Sequence, residues 1–547
     1  MEFNVAEVLE ALGDSLGDRE AVVTPRLRLS WAELNERTRR FANHLLAHGL
    51  GVNRERQVLA SHEAGQDRVA ICLLNGHEYI EAIVGSFKAR CAPCNVNYRY
   101  VTTELADLLA DMRPRAIVYS AQFAEALLAA LATCELEPLM IEIGEAYEAT
   151  LSASSPSRPA LSWSPDDLYI LYTGGTTGRP KGVLWRQADA FVTAFGGRNY
   201  RDGGREWASM EEMVAAVAGR EGSRGLSAAP FMHGTGQWVS FQVLNTGGTV
   251  VIPGVVDRFD ARDVLDTLER ERVSLLTIAG EAFAAPLLEA LDERRRDLTA
   301  LAVISSSGAA LSPKSKEALV ARLPWVRIRD TVGSSEAGPL AGSLDRTTAP
   351  QSLPAPGQAP GSALFERGAD TVVLDETRSA VVAPGHDGVG WLARGGRIPL
   401  GYMNDPEKTA ATFKTIAGRR LTIPGDRARM LADGMIEVLG RDAVTINSGG
   451  EKIFAEEVEA AVRLHAGVRD VLVLGRPSQR WGSEVVALVE PAPGCQLYEA
   501  EVVDACRGSI ARYKLPKAVI FVGRIERNPA GKADYRWARR VVAQATD

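Results

Sequence analysis

The run YTGGTTGRPKG at residues 172–182 concentrates potential chemistry in one loop. It holds four glycines, three threonines (Thr173, Thr176 and Thr177) and one lysine, Lys181. Glycine lets the backbone turn through positive φ and come close to a ligand. Successive N–H groups in such a turn make a nest for anions. The threonine hydroxyls add donors, and Lys181 adds a positive charge. The chemistry this favours is phosphate binding; the plain alternative is a surface turn. The loop does not match GxxxxGK[ST], because Pro180 precedes Lys181 and Gly182 follows it. Cys91 and Cys94 form a second motif-like pair, the CxxC of KARCAPCNVNYRY. No second ligand pair lies near it, so it reads as a buried strand leaving a helix rather than a metal or redox site.

A frame must position these residues, and 547 residues exceed one simple core, which predicts two or more domains. Apolar content of 46% and charged content of 24% are those of a globular protein, and a net charge of −7 argues against general nucleic-acid binding. The opening MEFNVAEVLEALG lacks the regions of a signal peptide. No stretch reaches the ~18 apolar residues of a transmembrane segment. Six cysteines in this length do not make a disulfide framework. A soluble, reduced, cytoplasmic protein is expected.

The first part alternates strand-like and helix-like segments. SWAELNERTRRFANHLLAHGL (30–50) places Leu34, Phe41, Leu45 and Leu46 at helical spacing. RVAICLLNG, EYIEAIVGSFKARC and APCNVNY read as strand, helix and strand, the βαβ order of a parallel sheet. RAIVYS, DLYILYT, TVVIPG, LLTIAG and LAVISSSG read as further strands, with helices such as ARDVLDTLERERV between them. Several end in Gly- or Ser-rich loops, where open α/β sheets bind ligands. Residues 152–165 and 346–363 are Pro-, Gly- or Ser-rich and read as linkers. ADTVVLDE and GVGWLARGG predict a small β subdomain. From about residue 441, helix and strand patterns predict a compact α+β domain.

Further glycine-marked stretches come in order: APFMHGTGQW (229–238), SSGAAL (306–311), DTVGSSEAG (330–338), GYMNDPEKTAATF (401–413), IPGDRARM (423–430), GRDAVTINSGGEKIFAEEVE (440–459) and ERNPAGKADYR (526–536). Each alone is a weak signal. Together, in this order and over nearly the whole chain, they resemble the adenylate-forming superfamily of acyl-CoA synthetases, peptide-synthetase adenylation domains and luciferases. The resemblance implies an α/β fold: a large N-terminal region of stacked α/β sheets plus a small β subdomain, 1–440, followed by a small mobile α+β C-terminal domain, 441–547. It also implies an activity. A carboxylate attacks the α-phosphate of ATP to give an acyl-adenylate and pyrophosphate, and coenzyme A then displaces AMP. Bringing a carboxylate against a polyanion requires charge neutralisation.

The same resemblance implies roles for individual residues. Thr173, Gly174, Gly175, Thr176, Thr177 and Lys181 match the loop that grips pyrophosphate, with Gly174 where the family usually has serine. Glu336 matches the Mg2+ ligand and Ser335 a phosphate contact; one carboxylate plus phosphate oxygens and waters suits magnesium. Ser307, Gly308, Ala309 and Ala310 match the loop packed on adenine, and Asp330 an acceptor for its amino group. Val332 replaces the usual stacking tyrosine. Asp426 matches the aspartate that accepts from both ribose hydroxyls, and Pro424 replaces the usual threonine or serine there. Arg441 matches the arginine reaching the ribose, an interdomain ion pair being the alternative. Lys532 in PAGK matches the catalytic lysine between substrate carboxylate and α-phosphate. Domain rotation is expected about Ala443. Gly449, Gly450 and Lys452 would line the pantetheine tunnel. Lys452, Arg512, Lys514 and Lys517 are candidates for the CoA phosphates, with solvated surface as the equal alternative.

His233 is expected at the acyl site and, with Lys532 and Glu336, completes the catalytic set. Gly234, Gly236 and Gln237 are expected to border the acyl pocket, the two glycines removing side chains from its wall. Small residues in TIAGEAFAAPLLEAL (277–291) point the same way. These stretches look most like bacterial CoA ligases for steroid side-chain acids and bulky fatty acids. The alternative is an acyl-AMP ligase or stand-alone adenylation enzyme loading a carrier protein. Expected partners are a small carboxylic acid, ATP and CoA; a homodimer is one assembly left open.

Overall fold

The computed structural model describes the chain except residues 174–179, 310, 346–362, 449–450, 479–481, 508, 511, 529–530 and 546–547, and except the side chains of 344, 345, 363, 443, 447, 451, 452 and 482. The predicted linker at 346–363 therefore lies almost wholly outside the described residues.

Apolar runs become strands buried on both faces. In Arg68–Cys72, Val69 and Ile71 enter one core while Ala70 and Cys72 enter another on the opposite face. This is the period-two alternation of a strand sandwiched between helices. It pairs in parallel with Ala92–Asn95 and with Ala116–Tyr119. The seven-stranded sheet they belong to ends in Leu168–Thr173, Lys181–Arg186 and Gly401–Tyr402. Cys91 and Cys94 belong to those two different cores, so their thiols lie on opposite sides of the sheet. The helix Trp31–Ala47 begins where SWAE predicts: Ser30 Oγ accepts from Glu33 N–H, and the Glu33 carboxylate accepts from Ser30 N–H.

A second sheet centres on parallel strands Thr249–Val251, Arg224–Ser227, Leu275–Ile278, Val303–Ser307 and Arg327–Ser334. The expected small β subdomain differs in one respect. Its strands are not a separate sheet: Gly338–Asp345 pairs with Ala363–Arg367, which pairs with Ile436–Arg441, so the hydrogen-bonded path runs on unbroken. The segment 152–165 is strapped down rather than free. Arg40 donates to the carbonyl of Ser154, Asn43 to those of Ser155 and Ser157, and Trp163 Nε1 to that of Lys88.

The smaller C-terminal part has its own sheet of Val468–Ser478, Gly482–Pro491 and Ala518–Phe521. Val471 and Val473 pack with helix Ala455–Val462 on one face, and Leu472 and Leu474 pack with helix Tyr535–Gln544 on the other. It meets the larger part through Arg469 with Glu289 (3.2 Å) and Arg536 with Glu104 (3.1 Å). Among the described residues no helix is long and apolar enough to cross a membrane.

Candidate active site

The strands flanking the glycine-rich run, Leu168–Thr173 and Lys181–Arg186, pair antiparallel as a hairpin. Its last strand pair is Thr173 with Lys181. Gly174, Gly175, Thr176 and Thr177 lie outside the described residues. The hairpin is anchored from below by Asn95, a polar residue in an otherwise apolar strand. Its Oδ1 accepts from Tyr172 N–H (2.7 Å), and its Nδ2 donates to the carbonyls of Tyr172 (2.9 Å) and Met232 (2.8 Å).

Lys181 Nζ lies 2.6 Å from Asp405 Oδ2 and 5.6 Å from the centroid of the Tyr402 ring. Tyr402 and Asp405 come from Gly401–Tyr402 and the turn after it, which pair back onto the strand Lys181–Arg186. Asp405 also caps the helix Pro406–Thr412, accepting from Lys408 N–H (2.8 Å). Burial opposes ionisation of Asp405, but the contacts with Lys181 and Lys408 N–H outweigh it and hold its pKa below the ordinary value. The Tyr402 hydroxyl donates to Glu336 Oε1 (2.9 Å); burial and the adjacent Glu336 charge push the phenol well up. Glu336 sits in the turn between Arg327–Ser334 and Gly338–Asp345. That turn is fastened by Trp185 Nε1 to the Ser335 carbonyl (3.0 Å) and by Arg394 to the Ala337 (2.9 Å) and Pro339 (2.7 Å) carbonyls.

Asp426 and Arg441 are opposite one another on adjacent strands, with Nε 3.3 Å from Oδ1. Burial raises the Asp426 pKa above its usual value, against the pull of Arg441 and with Glu336 adding to the rise. Lys532 reaches this cluster from the C-terminal part. Asn528 builds its turn. Asn528 N–H donates to the Lys532 carbonyl (2.8 Å), Gly531 N–H to the Asn528 carbonyl (2.8 Å), and Lys532 N–H to Asn528 Oδ1 (3.0 Å). Gly531 has φ +73°, and a Cβ there would stand 2.6 Å from the Ala279 carbonyl, so the turn abuts the start of helix Glu281–Glu293. Only glycine meets both conditions. The Lys532 side chain is exposed to solvent. Desolvation, then the Arg441 charge, hold its pKa below the ordinary value, while Glu336 and Asp426 oppose that. His233 precedes helix Gly234–Asn245; burial, then Lys532 and Arg99, push its pKa down to about 3, so the imidazole is neutral. Its Nε2 is buried without a hydrogen-bond partner among the described residues. Positions 233, 336, 426, 441 and 532 thus share one electrostatic neighbourhood.

The family model of AMP-binding enzymes matches residues 9–403, and that of the AMP-binding enzyme C-terminal domain matches 457–532. The chain belongs to the AMP-binding enzymes. This AMP-binding enzyme is 46% identical to a medium-chain acyl-CoA ligase of Mycobacterium avium, covering 98% of each chain. It is 38% identical to a 3-oxocholest-4-en-26-oate–CoA ligase of Rhodococcus rhodochrous, covering 98% of this chain and 96% of that one. Its fold matches that of an anthranilate CoA ligase in complex with anthranoyl-AMP, with a TM-score of 0.81 at 21% identity over 100% of this chain and 98% of the other.

Several other expected residues of this AMP-binding enzyme are already engaged within the protein. Gly234 and Gly236 both stand close to other parts of the protein. A Cβ at Gly236 would lie 2.5 Å from the Pro230 carbonyl oxygen, and one at Gly234 would lie 2.8 Å from Leu171 and 3.4 Å from Trp238. Both glycines let the helix pack against its own protein. Gln237 is buried: it accepts from the Tyr169 hydroxyl (2.7 Å) and donates to the Phe231 carbonyl (2.6 Å). These bonds brace the helix. Asp330 is buried with Lys316 Nζ 3.1 Å from its carboxylate, so an adenine amino group would have to share it. Lys514 is tied to Glu457 (2.6 Å) and is not a free phosphate contact.

Ser307 ends the strand Val303–Ser307, Gly308 comes next at φ +86° and Ala309 is half-buried; Ala310, Gly449 and Gly450 lie outside the described residues, as do the side chains of Ala443 and Lys452. Tyr402, Asp405, Asn528 and Glu456 escaped the sequence reading. GYMND and NPAG did mark the places, but Asp405 meets Lys181 across 224 positions and Tyr402 meets Glu336 across 66, which leaves no local spacing to read, and nothing in the short NPAGK turn or in AEEVE singles out Asn528 or Glu456.

Proposed function

We propose that the chain is an AMP-forming acyl-CoA ligase, converting a carboxylic acid and ATP to an acyl-adenylate and pyrophosphate, and then the adenylate and CoA to acyl-CoA and AMP. The observation that carries this is that Lys532, from the C-terminal part, lies within electrostatic reach of Glu336, Asp426 and Arg441 of the larger part. Asp426 is suited to hold a vicinal diol, with Arg441 fixing its carboxylate. Lys181 is suited to the β- and γ-phosphates. Lys532, a compact ammonium, stands where two anions must meet, and the neutral His233 borders the acid without adding charge. In this reading the lobes divide between 441 and 446, just after the expected 440/441, since Arg441 still belongs to the large sheet while Ile446 packs in the C-terminal core.

The residues present fit magnesium. Glu336 offers a single carboxylate, and among the described residues no group of three or more His, Cys, Asp or Glu could hold a resident metal. A hard cation completed by phosphate oxygens and water suits that donor set. Bound magnesium would spread the negative charge of the phosphates during transfer. Tyr402 presents Glu336 for that role.

The substrate is a medium- or long-chain fatty acid or a steroid side-chain acid. The names of the Mycobacterium avium and Rhodococcus rhodochrous relatives support this. A cytoplasmic location accords with six unpaired cysteines. The test is a panel of acids, from acetate to steroid carboxylates, assayed for pyrophosphate release and then CoA-dependent AMP release. Best kcat/KM on acetate would sink the substrate class. Pyrophosphate release without any CoA-dependent thioester would favour carrier-protein loading instead.

A further inference from the structure

Lys181 and Glu336 present a physical problem. An ammonium meant for phosphates and a carboxylate meant for a cation stand on neighbouring elements, and free opposite charges collapse onto each other. The structure keeps them apart with one short segment. Tyr402 gives its ring face to the Lys181 ammonium and its hydroxyl to the Glu336 carboxylate. Asp405, three residues on, takes the Lys181 charge directly at 2.6 Å. The segment is rigidly placed. Tyr402 pairs with Val183 in the Lys181 strand, Met403 N–H donates to the Gly182 carbonyl (2.8 Å), and Tyr402 N–H donates to Thr409 Oγ1 (2.9 Å). Asp405 is further held by its capping bond from Lys408 N–H. Lys181 is by contrast a flexible side chain, 33% exposed, that can turn away.

The geometry points to Asp405 as a built-in counter-ion for Lys181, an internal anion that a polyphosphate must displace. This rests on the reading of Lys181 as a phosphate contact. The carboxylate holds the lysine extended and oriented while the site is empty. It competes with pyrophosphate for the same ammonium and takes the lysine back when pyrophosphate leaves. Asp405 is then a positioning residue that sets how tightly the product is held. A merely structural aspartate would weaken ligand binding when altered; a competing one must strengthen it. Because the pair is partly exposed, the competition is worth a modest factor, about three- to tenfold.

The experiment is calorimetric titration of the full-length protein with inorganic pyrophosphate in the absence of divalent metal. Asp405→Asn is the informative variant, since asparagine caps a helix as well as aspartate does and only the charge is lost. It should bind pyrophosphate about three- to tenfold tighter than the wild type, and pyrophosphate should become a correspondingly stronger product inhibitor. Lys181→Met should bind it at least tenfold more weakly. In the Lys181→Met background, Asp405→Asn should give much less tightening than it gives alone. If Lys181→Met leaves pyrophosphate binding unchanged, the phosphate reading of Lys181 fails. If Lys181→Met weakens binding but Asp405→Asn weakens it or leaves it unchanged, only the counter-ion proposal fails. Equal tightening with and without Lys181 overturns it too, because Asp405 would then act by direct repulsion.

Discussion

Glu456 offers a quantitative test of the interlobe contact. It lies in the first turn of helix Ala455–Val462, and its carboxylate rests on the backbone of the last strand before the lobe boundary. Oε1 accepts from Arg441 N–H at 3.4 Å, the carboxylate fills the space a Cβ at Gly440 would need, and Oε2 is buried without a partner among the described residues. The groups in its electrostatic surroundings are Glu459 on its own helix, Asp426 and Arg441 on the adjoining strands, and Tyr535 on the C-terminal helix. Burial first, then the Glu459 charge, push its pKa up from 4.5 to about 7. If the C-terminal lobe swings away, Glu456 returns to water and its pKa falls toward the ordinary carboxylate range, keeping only the part of the rise due to Glu459, which travels on the same helix. The docked arrangement then binds the extra proton. Docking is unpenalised below pH ~4.5, and the advantage is lost as pH rises through 7, where the ionised carboxylate costs about 3 kcal/mol. Between pH 6 and pH 8 the docked-to-undocked ratio should fall about tenfold. Glu456→Gln should abolish that slope while still accepting from Arg441 N–H. The assay is energy transfer between dyes at the exposed Leu128 and Leu464, each changed to cysteine in a Cys495→Ser background. Equal slopes for the two proteins over pH 6–8, or docking that strengthens with pH, would refute the reasoning.

Three other outcomes are expected. Lys532→Ala should slow pyrophosphate release from acid and ATP by about 10²–10³, yet convert supplied acyl-adenylate and CoA at near the normal rate in single turnover; equal loss in both steps would make the lysine structural. Glu336→Gln should weaken magnesium-ATP binding by calorimetry far more than acyl-adenylate binding, because the adenylate has already lost the pyrophosphate. Gly236→Ala should cost about 1–3 kcal/mol in urea unfolding, since its Cβ meets the Pro230 carbonyl, and should leave the ranking of acids unchanged.

The sequence by itself determined the strands, the helices and the family. Buried strands need apolar runs, as in Arg68–Cys72, and helices need caps such as Ser30 with Glu33, so local chemistry writes these features into local residue order. Asp426 and Arg441 were named through the family resemblance of the motifs around them, and the structure sets them opposite each other on adjacent strands. The tertiary structure alone decided which way a side chain or a missing side chain faces. Gly234 and Gly236 could line a pocket or a packed helix, and only the Leu171, Trp238 and Pro230 atoms next to them show the latter. Likewise Lys181 could meet solvent or a phosphate, and only the fold brings Asp405, 224 positions away, to its ammonium. Chain order carries short-range geometry, whereas charge pairing and close packing act through space across whatever segments the sheets lay side by side.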